Sequence, residues 1–283
     1  MKLNFIKMHG AGNDYIYVDG MKYQIPDESA AAKKLSDRHF SVGGDGLIII
    51  KKGSVADYEM VMYNADGSRG AMCGNGIRCV AKYLFDEGYT NNEKEFTIES
   101  MAAIKHIKVN VIDGKAVSAR VNMGKPILKA SDIPVNFDGE KCVNQPVTFA
   151  DRKFNMTCVS MGNPHAVMFI DEHPTDFDLN KYGSIAEQDT SLFPDRVNAE
   201  FAKIIDRNNI EMRVYERGAG ETLACGTGAC ATAVSAILNG YCDNKVTVHL
   251  LGGDLLIEWS GNENDSVIMT GPAEYAFTGT VEI

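Results

Sequence analysis

Residues 73–84 read Cys73-Gly74-Asn75-Gly76-Ile77-Arg78-Cys79-Val80-Ala81-Lys82-Tyr83-Leu84, and residues 225–234 read Cys225-Gly226-Thr227-Gly228-Ala229-Cys230-Ala231-Thr232-Ala233-Val234. In both stretches Cys-Gly-x-Gly opens an apolar run of helical character. The two cysteines stand 152 positions apart (73 and 225), and Tyr63-Asn64 and Tyr215-Glu216 share that separation. Gly12-Asn13 and Gly162-Asn163 recur at 150 positions (12 and 162). Recurrence of strand end, turn and helix start in one order implies two similar halves related by a pseudo-twofold axis.

Outward from these motifs the chain is strand-rich. Leu47 to Ile50 and Tyr58 to Tyr63 are short apolar or alternating runs. Ile104 to Val111 and Val117 to Val121, separated by Asp113-Gly114, predict a hairpin with a tight turn. Met156 to Met161, His165 to Ile170, Ile210 to Tyr215, Val246 to Leu250 and Leu255 to Trp259 predict further strands. Helices are expected at Ser29 to Arg38, Gly76 to Glu87 and Gly228 to Asn239. Turn residues at Gly124-Lys125-Pro126 mark the boundary between halves. The expected domains are therefore 1–123, rejoined by 271–283, and 124–270.

Apolar residues make up 45% of the 283 residues and charged residues 23%, so the chain can fill a core without staples or metals. A formal net charge of -10 argues against nucleic acid or an anionic membrane surface as partner. It favours a small-molecule substrate. No segment approaches the roughly eighteen consecutive apolar residues of a membrane span, and the charged start at Lys2 and Lys7 does not read as a signal peptide. Seven cysteines, an odd number scattered over the chain, suit a reducing compartment, and the expected localisation is cytoplasmic.

A cysteine at a helix start sits among backbone N–H groups that lack intrahelical partners, at the positive end of the macrodipole. In such places a thiol pKa falls from near 8.5 to roughly 3.5–7.5. The flanking glycines admit a ligand close to the backbone, so the amides of Gly74, Asn75 and Gly76, and of Gly226, Thr227 and Gly228, form anion-binding concavities. Two such units on one substrate would hold a carboxylate whose extra negative charge is stabilised as its α-carbon loses a proton. One thiolate removes that proton on one face and a thiol returns it on the other, inverting the carbon. A single motif is more often a tight helix entry with an inert buried thiol; the repetition favours chemistry. Cys73 and Cys79 are six apart and Cys225 and Cys230 five apart, outside zinc-site spacing, so no metal is expected. Cys79, Cys142, Cys158, Cys230 and Cys242 are expected to be structural.

His9-Gly10-Ala11-Gly12-Asn13-Asp14-Tyr15, Asn64-Ala65-Asp66-Gly67-Ser68, Met72-Cys73-Gly74-Asn75-Gly76 and Met161-Gly162-Asn163-Pro164-His165 resemble the signatures of the diaminopimelate epimerases. So do Arg196-Val197-Asn198 and the long block from Val214 through Glu216-Arg217-Gly218 to Cys225-Gly226-Thr227-Gly228. The resemblance covers essentially the whole chain in order. It implies an α/β (α+β) fold of two pseudo-symmetric domains, each a mixed, curled β-sheet or barrel around a central helix, with the active site in the cleft between them. It also implies an isomerase that interconverts L,L- and meso-diaminopimelate in lysine and peptidoglycan precursor biosynthesis, with no cofactor and no pyridoxal phosphate.

By the same resemblance Cys73 and Cys225 are the acid–base pair, and the amides of Gly74, Asn75, Gly226 and Thr227 bind the reacting carboxylate. Asn13 and Glu216 hold the reacting amino group. Asn64, Asn163, Asn198 and Arg217 hold the distal amino and carboxylate groups, Arg217 offering a bidentate fork. His165, beside Cys73, and Asp45 are supporting residues. Two departures stand out: Gly46 occupies a position where many members carry glutamine, and Ser68-Arg69-Gly70-Ala71 lacks the acidic residue often found there. For quaternary structure a homodimer is compatible with the sequence.

A racemase of another amino acid on the same fold, proline- or histidine-racemase-like, shares the two-thiol chemistry but has no use for Asn64, Asn163, Asn198 and Arg217. A phenazine-biosynthesis-like isomerase shares the fold without the cysteine pair. A non-catalytic amino-acid-binding protein has little reason to keep both thiols and both glycine pairs.

Overall fold

Strand β1 (Lys2–Gly10) pairs antiparallel with β2 (Asn13–Asp19), and helix α1 (Glu28–Ser36) leads to β3 (Gly46–Lys52), which lies parallel to β2. Strand β4 (Tyr58–Asn64) returns antiparallel to β3 and pairs with the short β5 (Arg69–Gly70). Helix α2 (Gly74–Asp86) then leads to β6 (Glu95–Glu99), parallel to β4, and β6 pairs antiparallel with β7 (Ile104–Ile112). Strand β8 (Lys115–Gly124) closes a hairpin with β7 through Asp113 and Gly114, both at positive φ (49° and 77°), the signature of a type I′ turn.

The second half repeats this plan. After β9 (Gln145–Phe149), β10 (Arg152–Ser160) and β11 (Pro164–Phe169) are antiparallel, and helix α3 (Leu179–Gln188) leads to β12 (Asn198–Asp206), parallel to β11. Strand β13 (Asn209–Glu216) is antiparallel to β12 and to the short β14 (Gly220–Thr222). Helix α4 (Gly226–Leu238) leads to β15 (Lys245–Leu250), parallel to β13 and antiparallel to β16 (Gly253–Glu258). After β17 (Val267–Pro272), β18 (Glu274–Glu282) pairs with β1, Val281 opposite Leu3.

This computed structural model describes residues 1–101 and 103–283. It divides into one unit of Met1–Asn122 with Thr270–Ile283 and a second of Met123–Met269. Each unit is a mixed sheet with one central and one flanking helix. In the first, α2 packs on β1, β2 and β7 while α1 covers β3 and β4. In the second, α4 packs on β10 to β13, β15 and β16 while α3 covers β12, β13 and β14. Nearly every residue of α2 and α4 is buried, as expected of a helix enclosed by its sheet. The small residues of α4, Ala229, Ala231, Ala233 and Ala236, let that sheet approach closely. The outer layer of the first unit is aliphatic, with Leu3, Ile16, Val18, Leu35, Leu47 and Ile49. In the second unit it is aromatic, with Phe149, Phe154, Phe177, Phe193 and Phe201.

Both central helices begin two residues earlier than the sequence pattern suggests, at Gly74 and Gly226. Helix α1 also starts earlier, because Asp27 caps it by accepting from the Ala30 N–H at 2.9 Å. Helix α3 has no counterpart in the sequence reading. Gly183 in its middle depresses helix propensity, yet is required: a β-carbon there would stand 2.6 Å from the Tyr215 Cβ of β13.

Candidate active site

Cys73 is the N-cap of α2, with extended backbone (φ -131°, ψ 117°), and its Sγ accepts from the Gly76 N–H at 3.3 Å. The same sulfur donates to Asn13 Oδ1 at 3.2 Å. Asn13 follows Gly12, whose φ of 81° turns the chain between β1 and β2. Its amide cannot rotate freely, because Nδ2 donates to Asp45 Oδ2 at 2.6 Å. Asp45 is held in turn by the Asp14 N–H at 3.1 Å and by Arg38 Nη2 at 2.9 Å. With its nitrogen committed to Asp45, Asn13 turns its oxygen to the sulfur, an arrangement suited to a thiol S–H.

Cys225 repeats the cap on α4 (φ -116°, ψ 110°), and its Sγ accepts from the Gly228 N–H at 3.4 Å. Thr227 Oγ1 lies 3.5 Å from the same sulfur. Asn163, after Gly162 at φ 100°, donates from Nδ2 to Thr227 Oγ1 at 3.3 Å. The turn before Asn163 thus matches the one before Asn13. Cys225 is buried, and burial pushes its thiol well above the ordinary value, with Glu216 and Glu200 adding repulsion. The Thr227 hydroxyl and the Gly228 amide work the other way. In this state Cys225 is a thiol at neutral pH.

The two caps change one expectation. The Gly76 and Gly228 amides are given to sulfur, so an anion must use the first two positions of each helix, Gly74 with Asn75 and Gly226 with Thr227. The remaining polar residues fall within the same two units. Asn64 ends β4, where its Nδ2 donates to Ser68 Oγ at 2.9 Å. Gly46 stands opposite Asn64 in the β3–β4 ladder, and a β-carbon there would overlap the Tyr63 carbonyl oxygen and come within 2.8 Å of the Tyr15 ring. No side chain fits at that position on this backbone.

In the second unit Asn198 is buried, donating to the Pro164 carbonyl at 2.8 Å and accepting from the Arg217 N–H at 3.0 Å. The Arg217 guanidinium reaches the Asp195 carbonyl at 2.9 Å. Glu216 ends β13 and accepts from the Thr222 hydroxyl. His165 is held within its own unit, Nδ1 meeting Glu200 Oε1 at 2.7 Å and Nε2 meeting Asn163 Oδ1 at 3.1 Å.

Two buried carboxylates in this unit escaped sequence reading. Glu200 is fully enclosed, and Glu187 is ion-paired with Arg196 while accepting from the Gly218 N–H at 3.0 Å, which fixes the turn after Arg217. Neither belongs to a motif. For Glu200 the available signal was an acidic residue between a small and an aromatic one, in Ala199-Glu200-Phe201. No group of three or more His, Cys, Asp or Glu side chains placed to hold a metal occurs among the described residues. Among them, too, no helix is long and apolar enough to cross a membrane.

Comparison with known proteins gives a family and a fold. The family model described as diaminopimelate epimerase matches residues 5–129 and 157–276. The chain is 52% identical over 281 residues to the diaminopimelate epimerase of Acetivibrio thermocellus, covering 99% of each chain. It is 49% identical over 282 residues to that of Methanococcus maripaludis, covering 99% of this chain and all of the relative. Among solved structures, the Bacillus anthracis phenazine biosynthesis protein of the PhzF family superposes with a TM-score of 0.74 at 16% identity, each chain fully covered. A hydroxyproline epimerase from Agrobacterium vitis does so at 0.70 and 14%, covering 99% of this chain and 91% of the other. At those identities the likeness concerns the fold alone.

Proposed function

The chain belongs to the diaminopimelate epimerase family, and from that membership we propose that it interconverts L,L- and meso-diaminopimelate, with Cys73 and Cys225 as acid and base. The observation that carries the reading is the repeated cap: in each unit a cysteine sulfur takes the third amide of a buried helix, at 3.3 Å and 3.4 Å.

In the mechanism one sulfur, as thiolate, takes the α-proton and becomes a thiol. The other, a thiol, gives its proton to the opposite face and becomes a thiolate. Charge is conserved and the two sulfurs exchange roles in each turnover. The reacting carboxylate takes the amides of Gly74 and Asn75 and of Gly226 and Thr227, whose dipoles offset the charge that develops as the α-carbon is deprotonated. Glu216 and the Asn13 oxygen receive the α-ammonium, and an ammonium beside Glu216 removes part of the repulsion that holds Cys225 protonated. Substrate binding thereby prepares Cys225 to ionise. Arg217 takes the distal carboxylate as a fork, and Asn64, Asn163 and Asn198 supply amides to the distal end.

The free cysteines support work in a reducing compartment, the cytoplasm. A homodimer is the assembly proposed for the chain, and sedimentation tests it.

Solvent exchange tests the reading. In deuterated water, reduced protein without added pyridoxal phosphate should place deuterium on the α-carbon of diaminopimelate while approaching an equilibrium of stereoisomers. Absence of exchange sinks the assignment, and faster exchange into proline favours the racemase alternative.

A further inference from the structure

Glu200 lies on β12 directly beneath the first turn of α4. It is fully buried, and a β-carbon on Gly228 would stand 2.8 Å from its Oε1, so only glycine lets the carboxyl sit there. That oxygen meets His165 Nδ1 at 2.7 Å, and His165 is as completely buried. The other oxygen, Oε2, is buried with no hydrogen-bond partner among the described residues.

The donor logic beyond this pair runs one way. Asn163 gives its Nδ2 to Thr227 and therefore presents Oδ1, an acceptor, to His165 Nε2. Nε2 must carry a proton to meet it. Nδ1 and Glu200 Oε1 then share one further proton, as neutral imidazole with carboxylic acid or as imidazolium with carboxylate. In either form the buried pair has no net charge, which an enclosed site requires. Thr227 Oγ1 accepts from Asn163 and has its single hydrogen left for the Cys225 sulfur at 3.5 Å.

We propose that Glu200 is a positioning residue for Cys225: by sharing a proton with His165 it makes His165 Nε2, Asn163 Nδ2 and the Thr227 hydroxyl donate in succession toward the Cys225 sulfur. This rests on Cys225 being half of the acid–base pair. The chain supplies a hydrogen bond to the thiolate that must form there, against the burial and the Glu216 and Glu200 charges that oppose it; the proton shared with His165 offsets the Glu200 charge. The groups facing Glu200 are His165, Glu216, Cys225 and Cys158, and burial pushes its own carboxyl toward the protonated form. If the shared proton were lost, His165 would present a bare Nε2. Asn163 and Thr227 would reverse, and the chain would then favour S–H at Cys225.

Two substitutions separate this role from simple packing. Glu200→Gln keeps a donor for Nδ1 and preserves the direction of the chain, whereas Glu200→Leu fills similar space and offers nothing. With Cys73 replaced by serine, the pH at which Cys225 is half-alkylated by iodoacetamide reads the sulfur without turnover. The Leu variant should raise that midpoint by about one unit, the loss of roughly one hydrogen bond, and cut kcat about tenfold with little change in KM. The Gln variant should restore both to within about threefold. An unchanged midpoint in a folded Leu variant overturns the proposal, and so does a Gln variant as impaired as Leu. Should the Leu variant not fold, nitrogen-15 spectra of His165 in the parent protein and the Gln variant decide: Nε2–H is expected in both, and a bare Nε2 overturns it. Because alkylation needs no substrate, failure here is distinct from failure of the epimerase reading, which solvent exchange reports.

Discussion

Gly46 and Tyr63 lie across the β3–β4 ladder so closely that a β-carbon on Gly46 would overlap the Tyr63 carbonyl oxygen. The glycine is therefore a steric requirement of this backbone. Introducing at this position the glutamine that the family resemblance leads one to expect should not add a substrate contact. Gly46→Gln should destabilise the protein by about 3 kcal/mol through overpacking, read as a lower urea midpoint. A Gly46→Gln variant of parental stability and improved KM contradicts this.

Asp45 fixes Asn13 by taking its Nδ2 at 2.6 Å. Without that carboxylate the Asn13 amide is free to turn its nitrogen toward the sulfur. Asp45→Ala should lower kcat about tenfold, the scale of one charge-assisted hydrogen bond, while the melting temperature changes little. Asp45→Asn, which can still accept from Asn13, should recover most of the loss. Equal impairment of both variants would show that the charge, not the orientation, matters.

Arg217 should act in binding more than in chemistry, since a distal carboxylate is held alike in ground state and transition state. Arg217→Lys keeps the charge and loses the fork. KM should rise about tenfold or more, with kcat within about threefold, in steady-state kinetics. A fall in kcat at unchanged KM would move Arg217 into the chemical step.

Burial holds several acids protonated in the folded protein. Cys79 and Cys242 are each raised from 9.0 to about 11, and burial pushes Cys225 upward as well. The unfolded chain ionises these thiols first, so the stability they contribute is intact below pH 9 and is lost as pH rises toward 11. The urea midpoint should fall as pH rises from about 8.5 to about 10.5, and less steeply in Cys79→Ala. A flat profile over that window contradicts the burial argument.

Much of the framework was legible because it was said twice. The Cys-Gly-x-Gly repeat and the Asp113-Gly114 turn each follow from local geometry that only those residues satisfy. Strand β12 was not legible, because Asn198 and Glu200 put buried polar groups where an apolar alternation was sought. Helix α3 was hidden by Gly183, whose value lies in contact with Tyr215 and not in its own helix. The Cys225 side of the site was legible as residues without their wiring. Nothing in Asn163, His165 and Thr227 as letters reveals that Glu200 sets the direction of their hydrogen bonds. Position 46 draws notice for the side chain it lacks, whereas the constraint on it comes from a neighbouring strand.

Each central helix starts on a sulfur that takes its third amide. Serine and asparagine are the residues that helix starts ordinarily prefer, and either would hold that amide better. The protein thus accepts a weaker fastening at two buried helices for the sake of an ionisable atom there. Replacing both cysteines by serine should give a protein that is inert and at least as stable as the parent, so nothing in folding would resist a lineage that drifted out of catalysis. On the proposed mechanism, it is selection on turnover that keeps sulfur at both ends.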